Sequence, residues 1–284
     1  MANRNADLSY CGQEVRKHDN DRFLVGLFVP AERREAVFAL CAFNIEVAKT
    51  REVVTEPMIG QMRLQWWRDA VEAVYEGGAA PNHAVARPLA DAVAAHGLDR
   101  SQFDRLIDAR EADLDDESPA DLPALEAYAE ATAAPLVLLT LETLGVRDAA
   151  AMEAGRHVGT AYALAGLLRA VPFHAARGRV MLPADRLAAH GGRSREILDG
   201  KPGPAVRASV REVAESARRH LEQARALRRS LPKAALPALL PATLATLHLD
   251  VLAREEFDPF AARVQMPNPF RQLRLGWAAL RQRY

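Results

Sequence analysis

The sequence holds only two cysteines, Cys11 and Cys41. Two are too few for a disulfide framework and their spacing is not that of a zinc site, so they read as packed thiols in a reducing compartment. No uninterrupted apolar run approaches the roughly 18 residues needed to span a bilayer. The most apolar region, 135–146, is broken by Thr140, Glu142 and Thr143. Nor does the start read as a signal peptide, because Met1-Ala2-Asn3-Arg4-Asn5 has no apolar stretch behind it. Charge of either sign is not in excess: 37 Lys and Arg face 37 Asp and Glu, which removes bulk electrostatics as a reason to expect a nucleic-acid partner. Alternating β-branched stretches of strand type are absent too. The expectation is a cytoplasmic protein that does not cross the membrane.

What is present is helical periodicity. Ala, Leu, Arg and Glu recur nearly from end to end of the 284 residues, which predicts an all-α chain. The length suits a single domain, residues 1–284, around one core and a ligand cavity. Residues 1–14 are expected to be slack, and 255–284 to form a tail with an amphipathic helix. Pro30 and Glu32 mark a helix start, after which Val37, Leu40, Cys41, Asn44, Val47, Ala48 and Arg51 share one face. Further helices are expected at 56–75, 84–96, 100–114, 122–144, 149–168, 205–230, 236–254 and 270–283, with exposed loops at 113–119 and 191–204.

Several residues carry more than helix propensity. Trp66 and Trp67 are neighbours about 100° apart on a helix, so only one can face inward. Gly159, Ala163, Gly166 and Ala170 form a small-residue stripe; it either lets a neighbouring helix approach or leaves room for a prenyl or quinone tail. Phe270, Leu273, Trp277, Leu280 and Tyr284 form an apolar stripe among Arg271, Arg274, Arg281 and Arg283. Docking on the protein's own core is the ordinary fate of such a stripe; an anionic membrane surface or a partner is the alternative.

The stretch Val37-Phe38-Ala39-Leu40-Cys41-Ala42-Phe43, the run Arg63-Leu64-Gln65-Trp66-Trp67-Arg68, and Arg177-Gly178-Arg179-Val180-Met181-Leu182-Pro183 closing residues 159–183 resemble squalene and phytoene synthases. The resemblance covers roughly residues 15–250 and implies the isoprenoid-synthase fold, a helical bundle around a central cavity. It also implies two Asp-rich clusters whose carboxylates hold Mg²⁺ against a prenyl diphosphate, since residues a turn apart share a helix face. Aligned on Ala42-Phe43, the first cluster falls on Ala48, Lys49 and Glu52; aligned on 177–183, the second falls on Ala170 and His174, with Gly166 nearby. Nearly every required carboxylate is missing, so no catalytic residue, metal ligand or cofactor is expected, and Mg²⁺ enters only if the chain is a divergent prenyl transferase.

The remaining pattern, Val15-Arg16-Lys17-His18-Asp19, Asn44-x-Glu46, Gly60-x-Met62-Arg63-x-Gln65-x-Trp67 and Leu168-Arg169-Ala170-x-Pro172-x-His174, resembles a catalytically degenerate branch of that family. To that branch belongs a mitochondrial assembly factor of respiratory complex I. The resemblance implies a non-catalytic role with complex I subunits or assembly intermediates as partners. It places the protein peripherally at the inner face of the cell membrane. An isoprenoid or anionic lipid is the alternative ligand, in a carrier role. Asn44, Arg63, Trp67, Arg68, Arg169, His174, Arg177 and Arg179 then make up a candidate anion or ligand pocket. Their guanidinium forks suit phosphate oxygens, or else pair with Asp69, Asp113 or Asp185 as structural bridges. Glu46 and Glu52 face solvent or pair with Lys49 or Arg51, and His174 is either a proton donor or a hydrogen-bonded histidine at a helix end.

Overall fold

A computed structural model describes residues 8–54, 56–78 and 80–284, and among them there is no strand. The part of the slack segment at positions 1–7 lies outside the described residues. From Tyr10 the chain is helical, with Cys11 and Val15 fully buried. α1 (Tyr10–His18) starts at Ser9, whose Oγ accepts the Gly12 N–H at 3.0 Å. α2 (Asn20–Gly26) follows at once, capped by Asp19. Both are short enough that periodicity alone does not show them.

α3 (Ala31–Ala48) begins after Pro30, and α4 (Thr50–Val53) and α5 (Pro57–Tyr75) complete the first wall. The single buried face expected for α3 is corrected: every residue from Val37 to Asn44 is buried, because α1 and the helices over 86–96, 100–108 and 122–143 surround it. α6 (Ala86–His96) ends at Gly97 in the left-handed region, and α7 (Arg100–Asp108) stops short of the expected 114. Residues Glu111–Leu114 instead tighten into a 3₁₀ turn.

α8 (Leu122–Thr143) and α9 (Ala149–Arg169), capped by Asp121 and Asp148, form the centre together with the long helix over 204–226. α10 (Val171–Ala175), α11 (Ala184–Ala189) and α12 (Ser194–Leu198) are short; α12 occupies part of the expected loop. α13 (Pro204–Ala226) gives way to a 3₁₀ turn at Leu227. The single helix expected over 236–254 is two, α14 (Leu236–Leu239) and α15 (Pro241–Arg254), bent by 41° at the break. Pro241 has no N–H and its ring clashes with the preceding turn, which accounts for the bend. α16 (Ala262–Gln265) and α17 (Arg271–Leu280) close the chain's helical order.

α8 alone is long and apolar enough, by length and composition, to cross a membrane as one straight helix among the described residues, yet 67% of its apolar window is buried inside the fold. Its polar residues are satisfied there. Thr140 and Thr143 donate to the Leu136 and Leu139 carbonyls, and Glu142 accepts the Asp99 N–H at 2.8 Å. Against α8, the small-residue stripe of α9 divides in two. A Cβ on Gly159 would lie 2.5 Å from Ala134 Cα, so the backbones meet there, whereas nothing lies within 4 Å of one on Gly166. The same stripe thus closes the helix contact at one end and leaves space at the other.

Candidate functional site

That space is a cavity of about 840 Å³ walled by α3, α4, α8 and α9, with the α1–α2 junction and residues 265–271 at its mouth. Where the first Asp-rich cluster would stand, Ala48, Lys49 and Glu52 line it. From α9, Gly166, Arg169 and Ala170 line the opposite wall. Asn44 lines the cavity while 4% exposed, and its Oδ1 is buried without a hydrogen-bond partner.

The mouth is organised by one carboxylate. Asp21, 5% exposed, accepts from Arg271 Nη1 at 3.0 Å, and lies 3.3 Å from His248 Nε2 and 3.6 Å from Arg169 Nη1. Burial alone would push the Asp21 carboxyl up. The His248 hydrogen bond and the charges of His248, Arg169 and Arg271 outweigh it and hold the group below the usual carboxylate range. Beside it, Asp19 is bonded to Arg22 at 2.5 Å, and the Arg22 guanidinium lies over the Tyr162 ring at 4.9 Å. Deeper in, Asp113 accepts from the Tyr128 hydroxyl at 2.6 Å, pairs with Arg110 at 3.1 Å and lies 3.7 Å from Arg179.

The expected arginine pocket does not assemble. Of its members only Asn44 and Arg169 line the cavity. Arg63 pairs with Glu46 at 2.5 Å, and Lys49 reaches the other oxygen of the same carboxylate. Arg68 faces out and bonds Asp108 and Glu111 at 2.8 and 2.6 Å. Arg177 stacks over Phe173 at 3.6 Å, and Arg179 is buried against Asp113. Trp67 is core, 1% exposed with its ring edge-on to Phe43, while Trp66 is 39% exposed. For Arg63, Arg68 and Arg179 the physical reason is charge pairing: a guanidinium taken out of water is costly unpaired, and carboxylates on other elements supply the partners. Asp69 and Asp185 are not among them: Asp69 accepts from Gln65 and Asp185 lies beside Arg186. Glu46 turns inward, and Arg51 bonds Asp116 at 2.7 Å.

His174 sits on α10 at the end of α9, out of the cavity lining. Burial first, and the neighbouring Arg179 second, push its imidazole down to about 4, so it is neutral near pH 7. A proton donor at neutral pH is therefore not what this position provides. The residues that sequence reasoning missed are Asp21, Arg22, Tyr162, His248 and Arg271. The 15–19 motif stops two positions short of Asp21, and its partners lie more than 140 residues away.

Mg²⁺ does not fit this donor set. The ion requires several oxygen ligands in near-octahedral geometry. The family positions offer Ala48, Gly166 and Ala170 and a single carboxylate, Glu52, with the Lys49 ammonium among them. Asp19 and Asp21 are engaged by cations of the chain itself.

A second crevice, about 430 Å³, lies across the 265–271 strap and shares Arg169 and His248 with the cavity. Leu249, Leu252, Val264 and Phe270 give it apolar walls.

Comparison with known proteins agrees with this architecture. The sequence profile of squalene/phytoene synthase matches residues 15–270. "NADH dehydrogenase (ubiquinone) complex I, assembly factor 6" of Bos taurus is 38% identical over 275 residues, covering 97% of this chain and 82% of its own length. A dehydrosqualene synthase solved in complex with ligand superposes with a TM-score of 0.84 at 19% identity, over 96% of this chain and 95% of its own. Squalene synthase HpnC from Alicyclobacillus acidocaldarius gives 0.78 at 22%, over 88% and 94%. The two structural likenesses speak to the fold alone, which is the all-α isoprenoid-synthase type.

Proposed function

The chain belongs to the squalene/phytoene synthase family, and from that premise we propose that it is a non-catalytic assembly factor for respiratory complex I, the NADH:quinone oxidoreductase. Its partners are complex I subunits or assembly intermediates, and it works peripherally at the cytoplasmic face of the membrane. The observation that carries the reading is the cavity wall itself, where Ala48, Lys49 and Ala170 stand in place of carboxylates and Glu52 alone is acidic. Without a metal clamp, the negative charge that develops on a departing diphosphate lacks the divalent cations that would bridge its oxygens, and the monovalent Lys49 and Arg169 do not replace them. Similarity to the bovine assembly factor over almost the whole chain supports the same reading.

The cavity's persistence supports one further part of the proposal. Its open wall at Gly166 suits an isoprenoid or lipid tail that is held and not transformed, and the unpartnered Asn44 Oδ1 would accept from a hydroxyl or other donor on its head.

Complementation tests the proposal. A strain lacking the gene should lose NADH:quinone oxidoreductase activity and regain it with the intact chain. Arg169→Ala should restore it less well than its soluble protein level explains. In parallel, the purified protein incubated with farnesyl diphosphate, Mg²⁺ and NADPH should release no diphosphate. Turnover there would replace this reading with that of a divergent prenyl transferase.

A further inference from the structure

Of the C-terminal apolar stripe, Tyr284 docks on the protein's own core, its hydroxyl donating to the Ala224 carbonyl at 2.8 Å, but the part from Phe270 to Leu280 does not. Phe270, Leu273, Trp277 and Leu280 are 62, 71, 54 and 77% exposed. At 100° per residue these four fall within one narrow arc of the helix. The helix is nevertheless firmly seated, by its other side: Leu275 and Ala278 are buried with Val25, Leu240 and Leu244, and Arg271 is bonded to Asp21 and Asn20. The exposed arc is therefore left over after the fold has used what it needs. Met266 of the preceding strap, 66% exposed, adds a further apolar side chain.

Charge distinguishes what could cover it. The chain as a whole is neutral, but residues 259–284 contain five arginines and no acidic residue. Arg274, Arg281 and Arg283 are exposed, and the Arg281 guanidinium lies 4.2 Å over the Trp277 ring. An exposed Trp/Phe/Leu arc flanked by arginines on a single helix is the arrangement that lies flat in an anionic lipid interface, rings at headgroup depth and guanidinium groups on phosphates.

We propose that α17 is a membrane-docking element that seats this face of the protein on an anionic phospholipid surface. Leu273, Trp277, Leu280 and Phe270 enter the acyl boundary, and Arg274, Arg281 and Arg283 contact lipid phosphates. Phe270 and Met266 also wall the 430 Å³ crevice, so docking brings an apolar recess against the lipid. The inference deepens the membrane-face part of the function proposed above, but its test needs no complex I.

The full-length protein is sedimented with vesicles of phosphatidylcholine alone or enriched in phosphatidylglycerol, at low and high salt. A Trp66→Phe background leaves buried Trp67 and exposed Trp277 as the only tryptophans. Binding is expected on the anionic vesicles, weakened as salt shortens the screening length from ~10 Å at 0.1 M to ~3 Å at 1 M, with a blue shift of the Trp277 emission. Leu273→Glu with Leu280→Glu should weaken binding by at least about tenfold. The same charge change at exposed Met58 and Met62 of α5 should leave it unaltered and controls for non-specific stickiness. No binding to anionic vesicles, binding that ignores the α17 variant, or a solution dimer that this variant splits would overturn the proposal, the last in favour of a second copy on this face. Loss of vesicle binding with intact complementation would leave the assembly reading standing; the reverse would leave the lipid surface standing.

Discussion

Arg271, the first residue of α17, bonds Asp21, 250 positions earlier in the chain, at 3.0 Å. This one pair joins the mouth of the cavity to the helix whose outer arc is bare. Asp21→Asn removes the charge that Arg271, Arg169 and His248 share. The expected cost is about 2 kcal/mol, the value of hydrogen bonds to a charged group, moderated because Arg169 is substantially exposed. Since the folded Asp21 titrates below its unfolded counterpart, its contribution is present above the unfolded value, about pH 3.9, and disappears as pH falls through the folded one. Thermal melts of both proteins at pH 7 and pH 3 check this: the gap should be several degrees at pH 7 and should shrink at pH 3.

Histidines set a second pH dependence, of opposite origin. His174, pushed down to about 4, and the His157–His220 pair, whose Nδ1 atoms are 2.9 Å apart, are all held below the ordinary imidazole value, first by burial. Each favours the folded state when neutral. Their contribution is complete above about pH 6.5 and is lost as pH falls below it, for His174 down to about 4. Melting temperature should decline from pH 7 to pH 5, and His174→Gln should flatten the slope. An unchanged slope in that variant would place the titration elsewhere.

Two glycines on α9 should respond oppositely to the same methyl group. Gly159→Ala drives a Cβ into Ala134 backbone atoms, which cannot step aside as a side-chain tip would, and should destabilise by about 1–3 kcal/mol despite better helix propensity. Gly166→Ala meets nothing within 4 Å and should gain up to about 1 kcal/mol. Urea titrations of the pair measure both signs.

Metal should not matter. Millimolar Mg²⁺, with or without farnesyl diphosphate, is expected to leave the melting temperature unchanged. A ligand at 100 times its dissociation constant would add about 2.7 kcal/mol, an effect a melt resolves easily. A specific Mg²⁺-dependent rise would restore the metal clamp.

Much of the architecture was legible because it rests on local periodicity. The cores of α5, α8, α9 and α13 fall where apolar spacing put them, and helix geometry required that one of Trp66 and Trp67 face outward, though which of the two only the structure shows. The site was harder. The motif Leu168-Arg169-Ala170 placed Arg169 and Ala170 on the cavity, but pairings such as Arg63 with Glu46, Arg179 with Asp113 and Arg271 with Asp21 depend on which helices meet. Periodicity carries no such information, and so the retained arginines read equally as a phosphate pocket or as structural bridges; Arg63, Arg68 and Arg179 make bridges, Arg179 with Asp113, one of the expected partners, while Arg177 stacks on Phe173. The α17 stripe failed for a related reason: its amphipathic pattern was plain, but Leu275 and Ala278 had already met the core's needs.

α8 has the composition of a membrane span and is kept from behaving as one by its neighbours, chiefly α9. During synthesis those neighbours do not arrive together. α3 and α7 precede it, but α9 follows, so a chain halted after Thr143 presents lipid-like helix with its main cover missing. The exposure is brief, because α9 is the next helix and begins at Ala149; at ~5–20 residues per second it is made within seconds. Truncations that end between Thr143 and Arg169 should therefore be the forms that chaperones and membranes capture, while the completed chain escapes both.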